Sequence, residues 1–191
     1  MAEHEIPERL RWAVEQLAIE PDARVLEIGC GTGVALGLVC EYLSTGHILG
    51  IDRSAVAIDR ARTRNAAHIA EGMAGLWLGD LKDFASDAGA FDRVFAVNVN
   101  VFWTGPARAE LQRLFELTKP GGVVLLVYEA PDARKAERIA NDLHEKLTAQ
   151  GFLTTSSKGP SPKLVGITAL HPPAGPPRPT GSRGRPPSRA M

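Results

Sequence analysis

The chain has 191 residues, 44% hydrophobic and 23% charged, which suits one globular domain and excludes collagen-like, wholly disordered and disulfide-framework proteins. A chain of this length buries enough surface to fold without a disulfide or metal staple. Its 22 basic and 22 acidic residues balance, so overall charge gives no sign of a nucleic-acid partner.

Residues 7–19 read as an amphipathic helix with Leu10, Val14 and Leu17 on one side. Arg24–Ile28 is a short β-prone run ending at a glycine, followed by a helical pattern over 32–42 and a strand over 47–51. Ser54 is placed to cap a long helix over 55–71. Strands are predicted over 76–78 and 93–99, the latter rich in Val and Phe, and a helix over 107–117 that stops before the breaker Lys119-Pro120-Gly121-Gly122. The continuous apolar run 123–128 suits a strand buried on both faces. A helix over 132–150 closes on Gly151, and 152–156 and 164–169 form a terminal antiparallel pair.

The domain is expected to span 1–170. The remainder, 171–191, holds seven Pro, three Gly, four Arg and no acid, and is expected to be a disordered tail. Without it, 18 basic and 22 acidic residues remain, which disfavours a phosphate-tracking surface. Cys30 and Cys40 lie ten residues apart in sequence, roughly 12–15 Å if helical, whereas a disulfide tolerates about 7 Å between α-carbons. Two free thiols in a reducing compartment are expected. The first twelve residues lack an apolar signal core, and no apolar run approaches the roughly 20 residues of a membrane span. A soluble, cytoplasmic protein follows as the expectation.

The alternation of strands and helices predicts an α/β fold, an open sheet with helices on both faces and a ligand at the carboxyl ends of the strands. Five loops then matter: 28–33, 52–54, 79–82, 98–104 and 129–132. The first contains Gly29-Cys30-Gly31-Thr32-Gly33 between strand and helix. Glycines there permit positive φ and close approach of a ligand to backbone, and the helix start offers free N–H groups. The dinucleotide spacing G-x-G-x-x-G/A fails, because the sixth position is Val34 from Gly29 and Leu36 from Gly31. A phosphate-binding P-loop fails for want of any lysine before Lys82. Asp52, nineteen residues after Gly33 at the end of the second strand, is placed to accept two hydrogen bonds from ribose hydroxyls, or else to cap a turn. After the third strand, Asp80 can accept from an exocyclic amine and Leu81 can present an N–H.

Together these residues resemble a class I S-adenosylmethionine-dependent methyltransferase. The matches are Val25-Leu26-Glu27-Ile28-Gly29-Cys30-Gly31-Thr32-Gly33, Gly50-Ile51-Asp52-Arg53-Ser54, Gly79-Asp80-Leu81, Phe91-Asp92-Arg93-Val94-Phe95-Ala96-Val97-Asn98 and Leu117-Thr118-Lys119-Pro120-Gly121-Gly122. They look most like the small-molecule enzymes of the ubiquinone/menaquinone-biosynthesis-like group, over residues 10–170. The resemblance implies a Rossmann-like, seven-stranded, mostly parallel sheet with an antiparallel last strand, and S-adenosyl-L-methionine as cofactor. It implies that Glu27, Gly29, Cys30, Gly31 and Gly33 hold the methionine portion and that Asp52 binds the ribose. Arg53 would pack beside the adenine, Asp80 and Leu81 would read its edge, and Asn98 would lie near the transferable methyl.

Phe102 and Trp103 read either as the substrate pocket mouth or as core, and Asn98 as bonded to backbone or to cofactor. Asn98 and Asn100 alternate with Val99 and Val101, which places both asparagines on one side of the chain. The histidines show no metal-ligand spacing. His4 is the one histidine of the N-terminal segment able to reach a pocket. The segment before the first strand is shorter than in many relatives, so the site is expected to be open, completed by the N-terminal helix or by a second subunit in a homodimer. Competing readings are a non-catalytic cofactor-binding module or subunit, and a nucleic-acid or protein methyltransferase. The latter is weakened because the fourth strand ends Asn98-Val99-Asn100-Val101 without an Asn-Pro-Pro-aromatic stretch.

Overall fold

A computed structural model describes residues 6–174; His4 and most of the proline- and arginine-rich segment lie outside them. Seven strands form one sheet in the order β3-β2-β1-β4-β5-β7-β6. The strands are β1 (Arg24–Ile28), β2 (His47–Asp52), β3 (Ala74–Leu78), β4 (Phe91–Val97), β5 (Thr118–Glu129), β6 (Leu153–Lys158) and β7 (Leu164–Leu170). The first five pair in parallel, while β7 runs antiparallel to both β5 and β6. The expected architecture is therefore observed.

Strand alternation divides the core in two. Val25, Phe95, Leu125 and Val127 join one apolar cluster with α1 (Glu8–Gln16) and α2 (Val34–Cys40). Leu26, Val94, Ala96, Leu126 and Tyr128 join the other with α6 (Arg108–Leu117) and α7 (Ala133–Gln150). The period of two thus sends successive side chains to opposite helical layers. Asp132 accepts the Lys135 N–H at 2.8 Å to start α7, and Gly151 ends it at φ 107, a left-handed close suited to glycine.

The predicted helix over 55–71 is two helices, α3 (Ala55–Arg64) and α4 (Ala66–Ala70). They break at Asn65, φ −107 and ψ 24, whose buried amide bonds outside the helix to Gly33 O. The fourth strand stops at Val97, because Asn98 turns into the left-handed region at φ 57. A short helix, α5 (Val101–Thr104), follows it. The turn at Lys119-Pro120-Gly121-Gly122 lies inside the span of β5 and breaks its register with β4 between Phe91 and Arg93. The ordered body also runs one residue beyond the expected boundary: His171 exchanges backbone bonds with Gly121 and Gly122 and stacks 4.1 Å from Phe115.

Helix α1 buries Trp12, Ala13 and Val14 against the α2 layer. It therefore serves the core, while Arg9 at its start reaches the end of β5, where Nη1 donates to Glu129 Oε2 at 3.0 Å. Cys30 and Cys40 are free and buried, and burial pushes the Cys40 thiol up to about 11. No helix among the described residues is long and apolar enough to cross a membrane.

Candidate functional site

The chain reverses its lateral direction between β1 and β4, and the carboxyl edge there is the place where open α/β sheets bind ligands. A cavity of about 500 Å³ opens at this edge, a size suited to a small-molecule cofactor. Its lining comes from four strand ends: Ile28 and Gly29 at the end of β1, Ile51, Asp52 and Arg53 at the end of β2, Gly79, Asp80 and Leu81 after β3, and Val97 to Val101 with Thr104 at and after the end of β4.

The glycine loop is held by backbone on one side and by a carboxylate on the other. Gly29 and Cys30 donate to Ile51 O at 2.8 and 3.0 Å. Asp52 Oδ2 accepts the Gly31 N–H and its Oδ1 accepts the Ser54 N–H, both at 2.9 Å. Asp52 thus ties the loop to the first turn of α3 while it faces the cavity. Gly31, at φ 53, has open space where a Cβ would point. Gly33, at φ 72, turns its carbonyl to the Asn65 amide, which donates to Gly33 O at 2.9 Å and to Ala61 O at 3.0 Å. Arg64 Nε adds a bond to Thr32 O at 3.1 Å. Sequence reading missed Asn65 and Arg64. An Asn in mid-helix was the available signal, because its side chain competes with the helical backbone.

Glu27 is buried beneath this loop and its Oε2 has no partner. Burial, reinforced by the nearby Asp52 charge and only partly offset by the Leu36 backbone, pushes its carboxyl up to about 8. An acid with a raised folded-state pKa keeps its proton while the unfolded chain has lost it, so folding stability falls as pH rises from about 4.5 to about 8. We expect Glu27→Gln to flatten that decline and to melt higher than the parent near pH 8, as read by thermal unfolding across pH.

The other expected residues divide. Arg53, Asp80 and Leu81 line the cavity, though Leu81 is itself largely buried. Asn98 lines it too, and its Oδ1 accepts the Glu129 N–H at 2.8 Å, so of the two bonds expected of it the backbone one is made. Phe102 is a correction: it is fully buried where α5 packs on α6 and α7, and so does not reach the mouth. Trp103 is half-buried outside the lining, with Nε1 donating to Asn100 Oδ1 at 3.3 Å and Lys135 Nζ 4.2 Å from its ring centre. The helical turn at 101–104 rotates these aromatics away from the cavity and presents Val101 and Thr104. No cluster of three metal-ligating side chains occurs among the described residues.

The donor set suits a ligand with a ribose, a cationic amine and a flat base. It offers a carboxylate at a strand end, an orphaned buried carboxyl below a glycine cradle, and an acidic turn beside apolar side chains. Residues 25–122, half of the chain, match the model of a methyltransferase domain. Trans-aconitate 2-methyltransferase of Delftia acidovorans is 34% identical over 133 residues, 67% of this chain and 46% of that protein. Ubiquinone/menaquinone biosynthesis C-methyltransferase of Geotalea daltonii is 27% identical over 63% of this chain and 52% of its own length. The chain thus spans about half the length of the curated relatives it matches. A solved SAM-dependent methyltransferase from Aquifex aeolicus superposes with a TM-score of 0.73 at 14% identity, covering 87% of this chain and 94% of that one.

Proposed function

This chain belongs to the class I S-adenosylmethionine-dependent methyltransferase family, and we propose that it binds S-adenosylmethionine at the carboxyl edge of its sheet and methylates a small molecule. The observation that carries this reading is the convergence of Gly29, Asp52 and Asp80 on one cavity, with Asp52 also holding the Gly31 N–H of the glycine loop. When bound, the sulfonium supplies an activated methyl for in-line displacement, which leaves the protein chiefly the task of orientation.

In this reading Asp52 accepts the ribose hydroxyls with the lone pairs its two backbone bonds leave free. Glu27 and the loop Gly29, Cys30, Gly31 and Gly33 hold the methionine end, where a cationic amine would draw the Glu27 carboxyl into its ionised form. Arg53 packs beside the adenine, and Asp80 and the Leu81 N–H read its edge. Asn98 stands near the methyl, and Val97, Val99 and Val101 keep water from it. We place the protein in the cytoplasm, where free thiols persist. Its open edge suits completion by a second copy, and the acidic excess over 1–170 speaks against nucleic acid as acceptor.

Calorimetric titration with S-adenosylmethionine and S-adenosylhomocysteine tests the reading. Binding of both in the micromolar range is expected, and absence of binding by either overturns it. Binding with no turnover across a broad set of acceptors would favour a non-catalytic module instead.

A further inference from the structure

The cavity wall that follows β4 has a hydrogen-bonding polarity of its own. Asn98 and Asn100 both line the cavity and both are exposed. Asn98 Oδ1 accepts from the Glu129 backbone at 2.8 Å, and Asn100 Oδ1 accepts from Trp103 Nε1 at 3.3 Å. A backbone N–H and an indole N–H can only donate, so each bond fixes which end of its amide is oxygen. Each amide oxygen thus already accepts one bond, whereas neither NH₂ has a protein partner among the described residues.

The wall is also braced. Tyr128 donates its hydroxyl to Val99 O at 2.5 Å, and the Asn98 N–H donates to Val127 O at 2.8 Å. Donors set in a braced wall meet a ligand without the cost of reorganising.

The cavity lining at this end is uncharged. Val97, Val99, Val101 and Thr104 complete this end of the cavity, while its charged residues Asp52, Arg53 and Asp80 follow β2 and β3. β1 lies between β2 and β4, which sets those strand ends roughly 9–10 Å apart. The cations that flank the wall are engaged, and Arg9 Nη1 is paired with Glu129 Oε2 at 3.0 Å beside Asn98. Lys146 Nζ donates to Phe102 O, Gly105 O and Asp142 Oδ2 at 3.2, 2.7 and 2.7 Å. Lys135 sits over the Trp103 ring.

We infer that the acceptor is an uncharged, mostly apolar molecule that presents a hydroxyl or carbonyl oxygen to the paired amide N–H groups of Asn98 and Asn100, with the methylated atom at or next to that oxygen. The inference rests on the methyl-transfer reading. A polycarboxylate would want a guanidinium or ammonium partner, and the wall holds none. A protonated primary amine would have only N–H groups to set against these donors. On transfer, a lone pair of the acceptor closes on the methyl carbon, the carbon–sulfur bond breaks with its pair kept by sulfur, and the acceptor's proton passes to water at the open mouth.

The test uses the full chain loaded with S-adenosylhomocysteine, probed with naphthol and tetralone, with trans-aconitate and citrate, and with phenethylamine. Nitrogen-15 spectra follow the side-chain NH₂ signals of Asn98 and Asn100, assigned from Asn98→Asp and Asn100→Asp. The oxygen-bearing apolar probes should move both signals and bind at least about tenfold tighter than the others. Asn100→Asp keeps the oxygen that Trp103 needs and exchanges the donor for a second oxygen. It should weaken naphthol roughly tenfold or more and leave S-adenosylhomocysteine affinity within about threefold. Asn98→Asp removes the other donor at a left-handed position that Asp tolerates. Tightest binding by a carboxylate or by the amine, unmoved NH₂ signals with every probe, or naphthol affinity unchanged in Asn100→Asp would each overturn the inference. Failure of S-adenosylhomocysteine to bind the parent chain would overturn the methyltransferase reading itself, and this inference with it.

Discussion

Asp52→Ala should weaken S-adenosylhomocysteine binding by roughly 100-fold, the loss of two charge-assisted hydrogen bonds taken at the low end of about 1.5–3 kcal/mol each. The residue does two jobs with four lone-pair directions. One pair of directions holds the Gly31 and Ser54 N–H groups; the other is left for ribose. Asp52→Asn should fare nearly as badly. Both oxygens accept from a backbone N–H, so an amide would set its NH₂ against one of those donors. Titration of parent, Ala and Asn variants, with thermal unfolding alongside, reads both jobs. An Ala variant that binds as the parent does would remove Asp52 from the site.

Gly33→Ala should cost about 3 kcal/mol of folding stability, measured by urea unfolding, and should weaken cofactor binding with it. The position sits at φ 72 and ψ 29, where a side chain costs roughly 1–2 kcal/mol. A Cβ would also come within 2.5 Å of Asn65 Nδ2 and 2.9 Å of Ala61 Cβ. Ala61 is fully buried and Asn65 is tied to Gly33 O itself, so neither can yield cheaply, and overpacking adds about 1–3 kcal/mol. Gly31→Ala is the control. At φ 53 it bears the backbone strain alone, since its Cβ would point into open space. It should lose only about 1 kcal/mol of stability while it fills the cradle and impairs binding. Equal losses of stability in the two variants would show that the Asn65 contact does not matter.

Much of the frame is legible residue by residue because it rests on local chemistry. Period-two alternation and continuous Val and Leu runs mark strands wherever one or both faces are covered. Asp132 and Gly151 mark the ends of α7 through capping that needs no distant partner. The glycine loop and Asp52 are readable for a similar reason: a strand end followed by glycines and a helix has few uses, and the next strand end must lie beside it.

The misreadings share the opposite cause. The helix over 55–71 breaks because the Asn65 amide gains two carbonyls, one of them 32 residues away in sequence. The aromatics after β4 turn from cavity to core because Asn98 leaves the strand at φ 57, a turn held by the Glu129 N–H of the neighbouring strand. Composition, periodicity and turn residues determined the sheet, its helical layers and the acidic and glycine positions at the cavity. The tertiary structure alone decided which amide oxygens accept bonds, which side chains the post-β4 turn presents, and that Glu27 Oε2 lies without a partner beneath the loop. Those outcomes depend on hydrogen bonds between segments far apart in the chain, and the pairing of such donors and acceptors exists only after the strands have set their register.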